Sequence, residues 1–186
     1  LLSEELNGGR RVLMHVSNFR PVKRVRDIVR IYARVQEAVP SVLVMVGDGP
    51  DRVEAETEAR TLGVDRTVHF LGKIDVVAPL LAGADLFLLP SQSESFGLSA
   101  LEALASGTPV VGSKAGGLVE VVKEGVTGAL REIGDVDAMA TASIEILSDR
   151  DRWETMSRDA AADSRARFSR DDIVRQYEAL YEDAVR

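Results

Sequence analysis

The chain has 186 residues, 45% of them hydrophobic, and a net charge of −7, which suits one soluble domain with a full core. The acidic balance argues against a nucleic-acid partner, because phosphate backbones call for an excess of Lys and Arg. The absence of cysteine excludes a disulfide framework and a thiolate metal site, and no apolar run reaches membrane-spanning length, so a cytoplasmic location is expected.

Residues 1–10 (LLSEELNGGR) read as the remnant of a linker with a Gly-Gly break, and the lack of an initial Met leads us to expect an excised piece of a longer protein. Residues 11–16 (RVLMHV) form a short apolar run, the first predicted strand. SNFRPVKRV then turns the chain, with Pro21 biasing Arg20 to an extended form. A helix is predicted over 24–39, burying Val25, Ile28, Val29, Tyr32 and Val35. A strand over 42–46, the turn GDGP and a charged helix over 51–62 follow, closed by Gly63. The third strand is predicted over 67–71, ending at Gly72-Lys73, then a short helix over 74–82 and a fourth strand over 85–89. Val110-Val111 open a fifth strand, residues 117–123 a short helix, and residues 128–130 a sixth strand. From residue 135 only helices are predicted, over 135–147, 150–166 and 170–185.

Strands alternating with helices imply a parallel sheet with helices on both faces, and continuous apolar strands agree with two covered faces. The expected class is therefore α/β: a Rossmann-like, doubly wound parallel sheet of about six strands followed by C-terminal helices. Ligands bind such sheets beyond the carboxyl ends of the strands. The loops SNFRPVK, GDGP, LGKID and SQSESFG all follow strands and share that edge. His15 and His69 both fall inside predicted strands, where a lone histidine is more often packed or solvated than a ligand.

The most informative stretch runs from Ser91 to Val111, SQSESFGLSALEALASGTPVV. A polar loop enters a helix at Leu98; Leu98, Leu101, Leu104 and Ala105 share one face, and Gly107 and Pro109 end the helix. The free N–H groups of Phe96, Gly97 and Leu98 would point into the loop crevice, a setting that attracts phosphate. Glu94 and Glu102 frame that terminus. Ionised carboxylates only accept hydrogen bonds, so they suit sugar hydroxyls. A diphosphate on the amides with hydroxyls on the two glutamates would describe a nucleotide sugar. On spacing alone, a solvated Glu94 and a dipole-capping Glu102 carry equal weight.

The E-x7-E spacing of Glu94 and Glu102, set in ESFGLSALEALASGTPVV, resembles the signature of retaining GT-B glycosyltransferases of family 4. That resemblance implies that Glu94 faces the donor sugar, Glu102 holds the ribose hydroxyls, and the Phe96, Gly97 and Leu98 amides hold the diphosphate. The family also carries an Arg and, five residues on, a Lys after the first strand. Lys23 matches the lysine, Asn18 stands where the arginine would be, and Arg20 or Arg24 is expected to supply the missing charge. Leu71-Gly72-Lys73 resembles the segment whose backbone meets the base, which adds Gly72 and Lys73 to the donor-binding set. The string NFRPVKRV is similar to that of the N-acetylglucosaminyl L-malate synthases of bacillithiol biosynthesis. UDP-N-acetylglucosamine is then implied as donor and L-malate as small-molecule acceptor, with no metal and no cofactor beyond the UDP-sugar substrate.

By the same resemblance, residues 11–168 form the nucleotide-sugar-binding domain. Residues 169–186 form a helix that crosses to an N-terminal domain missing here. Ile173, Tyr177, Leu180, Tyr181 and Ala184 make one apolar stripe on that helix, expected to be exposed or covered by another copy in a homo-oligomer. The isolated piece is expected to be inactive, with Glu94 and Lys23 as its catalytic contribution.

Other constellations are weighed against this reading. Gly47-Asp48-Gly49 lacks the third glycine of a dinucleotide fingerprint, since Arg52 occupies its place, so NAD is not expected. The resemblance makes that loop a wall of the nucleotide site; a tight turn explains it equally well. Gly116-Gly117 could bring the backbone near a ligand or simply turn the chain. Asp135-x-Asp137 and Asp149-x-Asp151 stand at helix starts, where Asp caps free N–H groups. A glycoside hydrolase would need its two carboxylates about 5–5.5 Å apart across one bond, which fits acids on one sheet edge poorly. A nucleotide-binding regulatory module without turnover and a GT-B epimerase are the competing functions.

Overall fold

The computed structural model describes residues 8–184. Six parallel strands are present: β1 (Arg11–Val16), β2 (Ser41–Val46), β3 (Val68–Gly72), β4 (Leu86–Leu89), β5 (Val110–Ser113) and β6 (Gly128–Arg131). They form one sheet in the order β3-β2-β1-β4-β5-β6. Eight α-helices accompany them among the described residues: α1 (Val25–Ala38), α2 (Arg52–Thr61), α3 (Ala78–Leu81), α4 (Leu98–Ala105), α5 (Leu118–Val121), α6 (Val136–Ser148), α7 (Arg150–Arg167) and α8 (Arg170–Ala184). None is long and apolar enough to cross a membrane. The α/β, doubly wound fold read from the sequence is the one observed.

Alternate strand residues serve opposite faces, as the pleat requires. Leu13, Leu43, Met45, Leu86, Leu88 and Val111 pack beneath α1, α2 and α6. Val12, Met14, Val44, Phe87, Leu89 and Val110 pack beneath α3, α4 and α5. The in-register pairs Leu13↔Leu43 and Met14↔Val44 keep each set on its own face. The five residues predicted for the buried face of α1 are all buried. Asp135 accepts from the Ala138 N–H and Asp149 from the Arg152 N–H, so the leading aspartates of both DxD strings cap helices α6 and α7.

Two elements depart from expectation. The helix predicted over 74–82 shrinks to α3, because Pro79 has no N–H to give a preceding turn and is tolerated only in the first turn. The stretch before it is not helical, and Val76 is exposed. On α4 the buried side chains are Ala100, Ala103 and Leu104, whereas Leu98 is 67% exposed. The short alanines let α4 lie close to the sheet, and Leu98 is left at the cleft mouth. The final helix α8 buries no residue, and Tyr177, Leu180 and Tyr181 are exposed as expected. It leaves a groove of about 570 Å³ against Phe96, Leu101 and Phe168. The linker expected over 1–10 lies, for residues 1–7, outside the described residues, as does Val185 at the end of the last predicted helix.

Candidate functional site

The strand order turns back between β1 and β4, so the loops after these two strands diverge to opposite faces and leave a crevice at their carboxyl ends. The loop after β1 begins with a buried polar chain. The His15 Nδ1–H donates to the Leu88 carbonyl at 2.8 Å, and Nε2 accepts from the Ser17 hydroxyl at 2.7 Å. Ser17 Oγ in turn accepts from the Phe19 N–H at 3.3 Å. The carbonyl can only accept, which fixes the proton on Nδ1. Burial, the largest cause, and the Lys23 charge lower the His15 pKa to about 4 against the upward pull of the Leu88 bond, so the ring is neutral at neutral pH. Phe19 is buried with φ 32, a left-handed conformation that L-residues rarely adopt. Its ring sits between His15 and Phe70, at centroid distances of 6.1 and 6.5 Å. One 3-10 turn, Pro21–Lys23, then carries Lys23 back toward the crevice.

The loop after β4 is clamped on both sides. Its Gln92 N–H donates to the Val22 carbonyl of the first loop at 2.8 Å. The Gly117 N–H donates to the Glu94 carbonyl at 2.9 Å. A Cβ on Gly116 would lie 1.9 Å from the Glu94 oxygen, and one on Gly117 would lie 2.7 Å from Phe96 Cα. Gly116-Gly117 therefore serve a backbone-to-backbone approach between two loops of this chain. Gly47 and Gly49 act alike: their Cβ atoms would lie 1.7 Å from the Ser17 oxygen and 2.2 Å from the Asn18 oxygen. The GDGP loop is pressed onto the first loop, and Gly47 and Asp48 border a hollow beside it.

Between the clamped loops lies a cleft of about 430 Å³, lined by Ser17, Asn18, Lys23, Glu94, Ser95, the Phe96-Gly97-Leu98 segment, Ser99 and Glu102. Val16, Ser17 and Asn18 also border a second hollow of about 230 Å³, with Gly47, Asp48, Lys73 and Ile74 on its far side. Lys23 Nζ meets Glu94 Oε1 at 2.7 Å, the two side chains being 20% and 8% exposed. Glu102 is exposed on the first turns of α4, and among the described residues no cation is within ion-pair distance of it. Gly97 caps α4 at φ 90, with no side chain bonded to the terminus. Among the described residues, no protein acceptor takes the Phe96, Gly97 or Leu98 N–H. A polar crevice with a helix terminus, one ammonium and two carboxylates can hold an anion at one end and hydroxyls at the other.

The structure thus brings together Asn18, Lys23, Glu94, Phe96, Gly97, Leu98 and Glu102, places Lys73 in the adjoining hollow, and adds Ser17, Ser95 and Ser99 to the walls. The carbonyl of Gly72 is taken by the Gly47 N–H at 2.7 Å. Arg20 is exposed and lies outside both hollows, while Arg24 pairs with the buried Asp27 at 2.5 Å. Among the described residues no three potential ligands gather as a metal site.

Residues 3–163 match the pattern of the glycosyl transferases group 1 family. The chain is 43% identical over 176 residues to N-acetyl-alpha-D-glucosaminyl L-malate synthase of Bacillus anthracis, covering 95% of this chain and 46% of that protein. It is 35% identical to a D-inositol 3-phosphate glycosyltransferase of Corynebacterium kroppenstedtii, covering 94% and 41%. Among solved structures it resembles Anabaena HepE in complex with UDP, with a TM-score of 0.89 and 30% identity over 98% of this chain and 51% of that one. The chain spans less than half the length of these curated relatives.

Proposed function

The chain belongs to the group 1 glycosyl transferases, and on that premise we propose that it is the donor-binding half of a retaining transferase that moves N-acetylglucosamine from its UDP ester to L-malate. One observation carries the reading. The ammonium, the two carboxylates and the unpaired amides 96–98, drawn from loops 71 residues apart, line a single cleft at the sheet's switch point.

The diphosphate lies on the amides of Phe96, Gly97 and Leu98 and meets Lys23; Glu102 accepts from the ribose hydroxyls; Glu94 faces the sugar. The uracil reaches the hollow beside Gly47, Gly72 and Lys73, and Asn18 lies at the junction, with exposed Arg20 within the same loop. In the reaction the bond from the anomeric carbon to phosphate breaks, and the malate hydroxyl oxygen bonds that carbon on the same face. The hydroxyl proton passes to the departing phosphate oxygen. Lys23 and the helix terminus stabilise the charge that develops there. The identity of donor and acceptor is supported by the 43% match to the malate synthase, and UDP by its presence in the HepE structure. The second wall of the active site comes from an N-terminal domain, onto which the exposed face of α8 packs.

Calorimetric titration tests this. UDP binds in preference to ADP and GDP. Glu102→Ala weakens UDP by roughly ten- to a hundredfold, the loss of a charged acceptor to two hydroxyls being worth about 1.5–3 kcal/mol. Unchanged UDP affinity in a folded Glu102→Ala variant removes Glu102 from the site.

A further inference from the structure

Without a donor, the two charged groups offered to it are spent on each other. Lys23 and Glu94 form a 2.7 Å ion pair, and Glu94 is nearly buried. Lys23 is the one cation among the described residues that line this cleft. A diphosphate entering the cleft competes with Glu94 for that ammonium. The loop cannot withdraw to relieve the competition, because it is clamped by the Gln92 and Gly117 hydrogen bonds and by the close approach of Gly116. A buried carboxylate that loses its cation is costly unless other donors replace it. The hydroxyls of a sugar on the diphosphate are such donors, and a bare nucleoside diphosphate brings none.

We propose that Glu94 is a specificity-determining residue that favours the glycosylated nucleotide over the bare nucleoside diphosphate by reclaiming Lys23 once the sugar has gone. The carboxylate that faces the sugar in the loaded cleft thereby weakens the hold on the product left after transfer. This inference rests on the reading of the cleft as a donor site.

The test is titration of the parent chain and of Glu94→Gln, which keeps size and hydrogen bonding but drops the charge, with uridine, UDP and UDP-N-acetylglucosamine. Uridine affinity stays the same. UDP binds Glu94→Gln about fivefold more tightly, the order expected when one partly buried ion pair no longer competes. UDP-N-acetylglucosamine gains nothing, so the preference for the glycosylated ligand falls. UDP binding that is unchanged or weaker in Glu94→Gln overturns the inference and leaves the donor reading standing. A parent chain that binds neither nucleotide overturns both. If Glu94→Gln loses uridine as well, Glu94→Ala takes its place under the same two outcomes.

Discussion

His15 is one of two histidines in the chain, and its surroundings make it a pH-dependent support for the cleft. Burial lowers its pKa from the ordinary 6.5 to about 4, so the unfolded chain binds a proton that the folded chain refuses between those values. Its contribution is therefore complete above about pH 6.5 and is lost as the pH falls toward 4. At about 1.4 kcal/mol per pH unit, the loss over that window is about 3 kcal/mol. Urea midpoints at pH 7 and pH 4.5 check this: the parent loses about 2–3 kcal/mol more than His15→Asn, which cannot titrate. Equal losses in the two proteins would show that carboxylates alone set the acid limit. The sequence revealed a strand histidine that is packed or solvated rather than a ligand, and the fold buries it completely. Its link to Ser17 and Leu88 was hidden, because Leu88 is 73 residues away and becomes a neighbour only when β4 pairs with β1. The Lys23–Glu94 pair was hidden in the same way: both residues were legible as site candidates, but not that each would hold the other.

At the scale of elements, the strands were legible because each is a short apolar run between breakers, and β1 spans the residues read for it. Helix faces were less so. The leucine spacing of α4 drew attention to Leu98 and Leu101, whereas close approach to the sheet selects the small residues Ala100 and Ala103. Loop-to-loop contacts were the least legible, since a glycine gives the same signal in an open turn and in a clamp. Gly116 and Gly125 separate the two cases. Both have positive φ, 50° and 74°, but a Cβ on Gly125 meets nothing within 4 Å, while one on Gly116 strikes the Glu94 oxygen. Gly125→Ala bears only backbone strain of about 1–2 kcal/mol. Gly116→Ala adds a backbone clash, which brings its cost to about 3 kcal/mol or more, and also weakens UDP by displacing the Glu94 loop. Denaturant midpoints and a UDP titration of the two variants check this. Equal destabilisation would mean that the loops are not clamped together at Gly116.

For the whole molecule, the family was legible because its signature is one continuous stretch, Glu94 to Val111, that folds locally into loop, helix and strand. The acceptor site was not, because the described residues that line the cleft come only from the stretches 16–23 and 94–102, all assigned to the donor. Donor docking and sugar transfer should therefore come apart in this chain. Holding the acceptor against the anomeric carbon can supply about 7–11 kcal/mol of barrier reduction. Losing 7 kcal/mol of it slows the reaction by about five orders of magnitude. The deciding measurement is UDP release from UDP-N-acetylglucosamine, with and without L-malate, by these 186 residues and by the same residues joined to their N-terminal domain. We predict donor binding by both, and malate-dependent release by the joined protein alone. Malate-dependent release by the 186 residues at a rate near that of the joined protein would contradict the account of this chain as a donor-binding half.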